Sequence, residues 1–258
     1  MSIAAPQTED HACRERLEEL RHRSSTRRVA RRRPLRTFTR ACSKFGVRCA
    51  IKGLAYRVAQ RLCRLQVGHI LVQSLDALPK TRSQVGGFEY RWLTADEVRT
   101  YAADRANDLE AAMAPLLENE QNFCFAAMDR SVLASYCWYA LDSIPREHSL
   151  GVGLSFPTDT VYFYKAYTHP GYRGRGLHPA AMREAASFFA ERGISRLVAI
   201  VEYANWPSLR SHAKLGFRLA GRFLKVGRRP LVFERYPKLA GTCGISFGDV
   251  PQLPSTTV

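Results

Sequence analysis

No apolar run in this chain approaches the roughly 18 residues that a membrane-crossing helix needs. The best candidate, residues 131–141, has the length and composition of a strand. The seven cysteines form no C-x-x-C pair, and no histidine stands at zinc-ligand spacing from them. Their odd number argues against a fully paired disulfide framework, so they read as reduced structural thiols and no metal is expected. Glu9, Asp10, Glu15, Glu18 and Glu19 make the start too acidic for a secretory signal or transit peptide, so a cytoplasmic location is expected. Internal repeats are absent.

What the chain has in excess is positive charge, unevenly spread. Residues 1–65 carry 17 Lys and Arg against 5 Asp and Glu; residues 66–258 carry 22 against 18. Residues 1–46 alternate arginine with Ser, Thr and Pro, a composition that cannot bury enough apolar surface to offset chain entropy, and they are expected to be mobile. From Cys49 the pattern changes. Ile51, Leu54, Ala55, Val58, Leu62 and Leu65 recur at helical spacing with Lys52, Arg57, Arg61 and Arg64 between them, predicting a basic amphipathic helix. Its apolar face either packs on the core or lies on anionic lipid.

Strand signals start at residues 67–75 and return at 88–93 after a polar linker. Thr94 to Glu97 (TADE) reads as a capping box opening a helix. A second helical stretch over 107–117 is broken or kinked at Pro115. Residues 123–128 and 132–141 form an expected hairpin, and 160–168 a further strand. A helix follows with Pro179 in its first turn and Gly193 at its end. Then come a buried-type strand (196–203), a short helix (205–215) and a closing hairpin (217–226 with 229–235). The tail from Gly241 is expected to be flexible. Three parts result: a basic extension (1–65), a globular domain (66–240) and the tail (241–258).

The most informative segment is 167–179, YTHPGYRGRGLHP. A strand runs into a glycine-punctuated turn and opens a helix, which makes a backbone anion site suited to a pyrophosphate. It is neither a G-x-x-x-x-G-K-[ST] loop nor a G-x-G-x-x-G fingerprint. After the next strand comes NWPSLRSHAKLGF at 205–217. Together the two segments resemble the GNAT acetyltransferase superfamily, over 161–235 and more weakly over 88–141. Its pattern is a strand end, an [RQ]-x-x-G-x-[GA] loop, a helix, a strand and N-x-x-[AS]-x-x-x-Y-x-K-x-G-F.

The resemblance implies an α/β GNAT fold, a mixed central sheet flanked by helices, here with a basic N-terminal extension. It implies an enzyme transferring an acetyl or other acyl group from acyl-CoA to a primary amine in a ternary complex, without a covalent intermediate. The loop of Arg173, Gly174, Arg175, Gly176, Leu177 and His178 would wrap the pyrophosphate of acetyl-CoA. Ala166, Tyr167 and Thr168 would offer backbone groups to the pantetheine arm where the strand splays from its neighbour. Asn205 and Ser208 match positions near the cofactor. His212 stands where the family commonly has a tyrosine that protonates the leaving thiolate, and an imidazole of ordinary pKa could do so; packing alone is the alternative. His178 replaces a small residue and could itself meet a phosphate. Arg173 and Arg175 could pair with phosphates or stand in water.

The general base stays open between Tyr162, whose face Tyr164 shares, and Glu202. Glu147 and His148 could line the acceptor site or be solvated. Ser208 and His212 lie one helical turn apart, but without a G-x-S-x-G elbow they make no hydrolase. The competing reading is a non-catalytic GNAT-like binding protein that residues 1–65 carry to nucleic acid or to an anionic membrane face. The acceptor, a small molecule or a protein amine, is not named by the sequence.

Overall fold

The computed structural model describes residues 42–78, 85–228, 231–235 and 244–248. Residues 1–41, and with them most of the expected mobile segment, lie outside the described residues. In chain order the elements are α1 (Val47–Cys63), β1 (Gln66–Ser74), β2 (Glu89–Trp92), α2 (Ala95–Ala102), β3 (Asn122–Asp129) and β4 (Val132–Ala140). They continue with β5 (Ser143–Ile144), β6 (Leu154–Ser155), β7 (Thr160–Thr168), α3 (Leu177–Ala190), β8 (Arg196–Glu202), α4 (Trp206–Lys214), β9 (Arg218–Arg228), β10 (Leu231–Arg235) and β11 (Ser246–Phe247).

Eight strands form one sheet in the order β10-β9-β1-β8-β7-β4-β3-β2. The β7–β8 pair is parallel and α3 makes its crossover; the other pairs described in this sheet are antiparallel. This is the mixed sheet flanked by helices that the resemblance implied. On one face α3 lays Ala181, Ala185 and Phe189 against Tyr139, Val161, Leu197 and Ala199. The opposite face is covered in two places. Val98 of α2 and Met113 sit over Tyr136 and Trp138. The small β11-β6-β5 sheet places Ile144, Leu154 and Ile245 over Ile70, Tyr162 and Val198.

Local expectations hold where local chemistry decides. Thr94 accepts from the Glu97 amide (3.3 Å) while Glu97 accepts from the Thr94 amide (2.9 Å), the reciprocal capping box at the start of α2. The helix expected over 107–117 is instead a pair of 3-10 segments, Arg105–Asn107 and Ala111–Asn119. Asp108 adopts a left-handed φ of 52° between them, and Pro115 has no amide to donate to an α-helical ladder. The tail is corrected in part: Ile245 is buried and Ser246–Phe247 pairs with β6, so residues 244–248 belong to the fold.

Two placements were not foreseen. β1 lies between β8 and β9, paired to both, so the closing β9–β10 hairpin joins the sheet outside it. Gly68 allows this, because a β-carbon there would stand 2.0 Å from the Phe223 ring lying across it. The second concerns α1. Its apolar stripe faces outward, with Ile51 54%, Leu54 47%, Val58 49% and Leu62 77% exposed. The face turned inward holds Ala50, Gly53 and Tyr56. At Gly53 a β-carbon would stand 3.5 Å from Trp206 Nε1, an ordinary van der Waals distance, so α1 lies close against the first residue of α4.

Candidate active site

β7 and β8 stay paired for four residues, from Thr160↔Arg196 to Phe163↔Ala199, and then part. The cause lies on the other side of β7. β4 pairs Tyr139 with Phe163 and Trp138 with Lys165, which leaves Tyr164 bulged out of the ladder. Beyond it β7 follows β4 to Thr168, while β8 follows β1 to Glu202. The β8-facing edge of β7 is left without a strand partner from Tyr164 onward. A cavity of about 310 Å³ occupies the gap, lined by Tyr164, Lys165 and Ala166 on one side and by Ile200, Val201 and Glu202 on the other. This is the splay that the resemblance implied.

Asn205, Ser208 and His212 reach the same cavity from α4. Asn205 is the N-cap of α4, its Oδ1 accepting from the Ser208 amide at 3.3 Å, so its carboxamide is engaged in starting the helix. His212 is 2% exposed, ringed by Phe163, Phe217 and His178. Its Nδ1 lies 2.8 Å from the Ser208 carbonyl. A carbonyl only accepts, so this contact places the hydrogen on Nδ1 and leaves Nε2 with a lone pair in the neutral ring. Nε2 is buried and without a hydrogen-bond partner among the described residues. Burial lowers the His212 pKa, and the Ser208 carbonyl offsets this only in part. The expected imidazole of ordinary pKa is therefore corrected: at rest His212 is neutral and its open nitrogen accepts.

His178 also turns inward, 5.5 Å from the Phe163 ring and 6.2 Å from His212. Burial, with the His212 ring beside it, brings its pKa down to about 4. Its position in the loop let it meet a phosphate; in the structure it is a neutral imidazole that lines the cavity.

Glu202 is the carboxylate among the cavity's lining residues. It accepts from Gln60 Nε2 at 2.6 Å and from the Tyr56 hydroxyl at 3.4 Å, both on α1. Tyr162, the other candidate base, is 1% exposed and stacked between Phe156 and Tyr164. Burial raises its pKa well above the ordinary phenol value, against the phenolate that a base requires. Burial does the same to Tyr164, whose hydroxyl donates to Asn122 at 3.1 Å. Lys165 is committed to Glu110 at 3.0 Å. Of the two alternatives left open for His148, the structure has it lining the cavity, and the Glu147 side chain lies outside the described residues.

The phosphate-type turn lies outside this lining. Gly174 and Gly176 have φ of 85° and 80°, and Gly176 is the N-cap of α3. α3 has neither a capping side chain nor an acidic residue in its first turn, so its leading amides and dipole meet no built-in anion. Arg173 and Arg175 are exposed beside it. Arg173 donates to the Thr168 carbonyl at 3.0 Å, and Arg175 lies over the Tyr172 ring. The Tyr172 hydroxyl donates to Asp129 at 2.8 Å, tying the turn to the β3–β4 hairpin. Leu177 is buried with Ala134 and Tyr172 and contributes packing. Tyr167 donates to the Ala106 carbonyl at 2.7 Å, and Thr168 Oγ1 lies 3.0 Å from Ser135 Oγ, which pins the end of β7.

Sequence reasoning missed Tyr56 and Gln60. Their i, i+4 spacing put a tyrosine and an uncharged amide on one face of a helix otherwise arginine and aliphatic. That was the available signal.

The model of the acetyltransferase (GNAT) family matches residues 86–217 of this chain. A streptothricin acetyltransferase from Streptomyces lavendulae is 38% identical over 52 residues, 20% of this chain and 28% of that protein's length. Among solved structures, a GCN5-related N-acetyltransferase from Kribbella flavida is 16% identical, with 69% of this chain and 65% of the other covered and a TM-score of 0.47. A tandem GNAT protein from the clavulanic acid biosynthesis pathway is also 16% identical, with 67% and 55% covered and a TM-score of 0.46. The chain thus spans about half of the latter's length.

Proposed function

Since the chain belongs to the acetyltransferase (GNAT) family, we propose that it is an N-acyltransferase that moves an acetyl group from acetyl-CoA to an amine carried on a cationic acceptor. The observation that carries this reading is the parting of β7 from β8 after Phe163 and Ala199, beside the uncapped start of α3. A thioester arm fits a slot whose strand edge offers unpaired backbone groups. A pyrophosphate fits a helix N-terminus flanked by two exposed arginines.

The residues then divide the chemistry. Glu202 takes one proton from the acceptor ammonium, directly or through water, and frees the nitrogen lone pair. That pair attacks the thioester carbon, and an amide on the splayed edge of β7 stabilises the oxyanion. As the C–S bond breaks, its electron pair goes to sulfur. The second nitrogen proton passes through His212 Nε2, which is a lone pair at rest, to the thiolate. One proton remains for Glu202 to release to solvent, so the products are an amide and a free thiol.

The test is thiol release from acetyl-CoA across a panel of amines, with streptothricin among the polyamines because of the partial relative. Amine-dependent release supports the reading. Absence of both release and acetyl-CoA binding overturns it and leaves a binding protein of the same fold.

A further inference from the structure

α1 and β1 precede the segment that the family model covers, yet they reach its centre. α1 turns its small and polar side to the end of β8. Gly53 meets Trp206, and Tyr56 packs on Tyr203 with ring centroids 5.3 Å apart. Tyr56 holds two points at once, accepting from the Val67 amide at 3.0 Å and donating to Glu202. Gln60, one turn on, donates to the same carboxylate oxygen at 2.6 Å. A helix whose apolar stripe is left in water is docked by these polar and aromatic contacts.

We propose that α1 completes the acceptor site, with Gln60 and Tyr56 acting as positioning residues that present the Glu202 carboxylate to an ammonium group. This rests on the acyltransferase reading above. Two features of the geometry carry it. The donors are neutral, and among the described residues no Lys or Arg pairs with Glu202. Its negative charge is therefore fixed in place without being cancelled. Lys165, the nearest lining cation in sequence, is instead tied to Glu110 at 3.0 Å. A structural carboxylate is usually neutralised by a cation; one held by an amide and a phenol keeps its charge for a ligand. The acceptor class that follows is an alkylamine, charged at neutral pH, which needs both an anionic neighbour and a base.

The test uses the full chain and two acceptors: an alkylamine identified in the panel and an aromatic amine, which is already neutral at assay pH and has little need of Glu202. Gln60→Met keeps the length of the side chain and removes the donor. It should lower kcat/KM for the alkylamine by about tenfold to a hundredfold, the range for losing a hydrogen bond to a charged group. The ratio of alkylamine to aromatic-amine turnover should fall by at least about tenfold with it, while acetyl-CoA affinity stays within about twofold. A merely structural role would depress both acceptors together. Gln60→Lys restores a donor but adds a charge that neutralises Glu202, and it should fail on the alkylamine as the Met variant does. If Gln60→Lys restores alkylamine turnover, the uncancelled charge is not what the site uses. Should Gln60→Met unfold, shown by its melting curve, Tyr56→Phe replaces it in the same ratio measurement. A wild-type chain that turns over the alkylamine, with variants that leave the ratio unchanged, overturns the proposal alone. A wild-type chain that neither binds nor cleaves acetyl-CoA overturns the acyltransferase reading beneath it.

Discussion

Two histidines line the cavity, and burial lowers the pKa of both. His178, its pKa brought down to about 4, is neutral in the native chain at neutral pH. The unfolded chain, with an ordinary histidine near 6.5, binds more protons than the native one between these values. Stability from this residue is therefore fully present above about pH 6.5 and lost as pH falls towards 4. At pH 4.5 the loss should be roughly 2–3 kcal/mol. His212, shifted in the same direction, adds to it. Melting curves at pH 7 and pH 4.5 should show a smaller acid loss in His178→Gln than in the wild type; equal losses would mean that His178 is solvated. His212 is tested by catalysis. His212→Ala should lower kcat by about 100-fold or more, as loss of a proton-transfer group does, with acetyl-CoA affinity nearly unchanged. Unchanged turnover would make His212 a packing residue.

At the scale of elements, the turn into α3 joins local conformation to binding. Gly176 needs its positive φ of 80° to serve as the N-cap, and a β-carbon there would meet Val85 only at 3.9 Å. A side chain therefore fits, at about 1–2 kcal/mol of left-handed strain. Gly176→Asn, an αL-tolerant choice, should keep most acetyl-CoA affinity. Gly176→Glu should abolish it in calorimetry by setting a carboxylate where the phosphates go, and a folded Glu variant with wild-type affinity would remove the site from this turn. Elements of this kind were legible in the sequence because their signals are local: the glycine spacing, the TADE box, the two apolar runs of β3 and β4 on either side of a short turn. The position of β1 was not, since a strand's pattern gives its faces but not its partners, and β1 pairs with residues about 120 to 160 positions away. α1 misled for another reason. Apolar periodicity identifies the helix correctly but does not say which side packs. Here the packed side is the one with Gly53, Tyr56 and Gln60, and Gln60 finds Glu202 across 142 residues. The site was legible to the same extent, with its α4 residues placed and its Glu202 partners invisible.

For the whole molecule, the basic excess divides into two parts with different consequences. Residues 1–41 hold 11 Lys and Arg against 5 Asp and Glu, and residues 42–65 hold six with no acidic residue. Four of the six in the second group, Arg48, Lys52, Arg57 and Arg61, lie on α1 beside its outward apolar stripe, while the inward side of the same helix holds Glu202. A chain starting at Cys42 should keep α1, the contact of Arg210 with Phe45 and all the Glu202 donors. Its melting temperature and its turnover should match those of the full chain. On a polyanion matrix it should elute at lower salt than the full chain, but not at the position of a neutral protein, because each lost ionic contact lowers the logarithmic salt slope by about 0.9. A chain starting at Gln66 is a different case. It loses the Tyr56 hydroxyl from the Val67 amide, uncovers Tyr203 and Trp206, and leaves Glu202 without either donor. It should aggregate or melt several degrees lower, and whatever remains folded should bind acetyl-CoA while turning over alkylamines at least about tenfold more slowly. The two truncations thus separate the effect expected of the charge of residues 1–41, on attraction to polyanions, from the effect proposed for the helix of residues 47–63, on acceptor turnover. Loss of turnover already in the chain starting at Cys42 would place part of the acceptor site before residue 42 and overturn that separation.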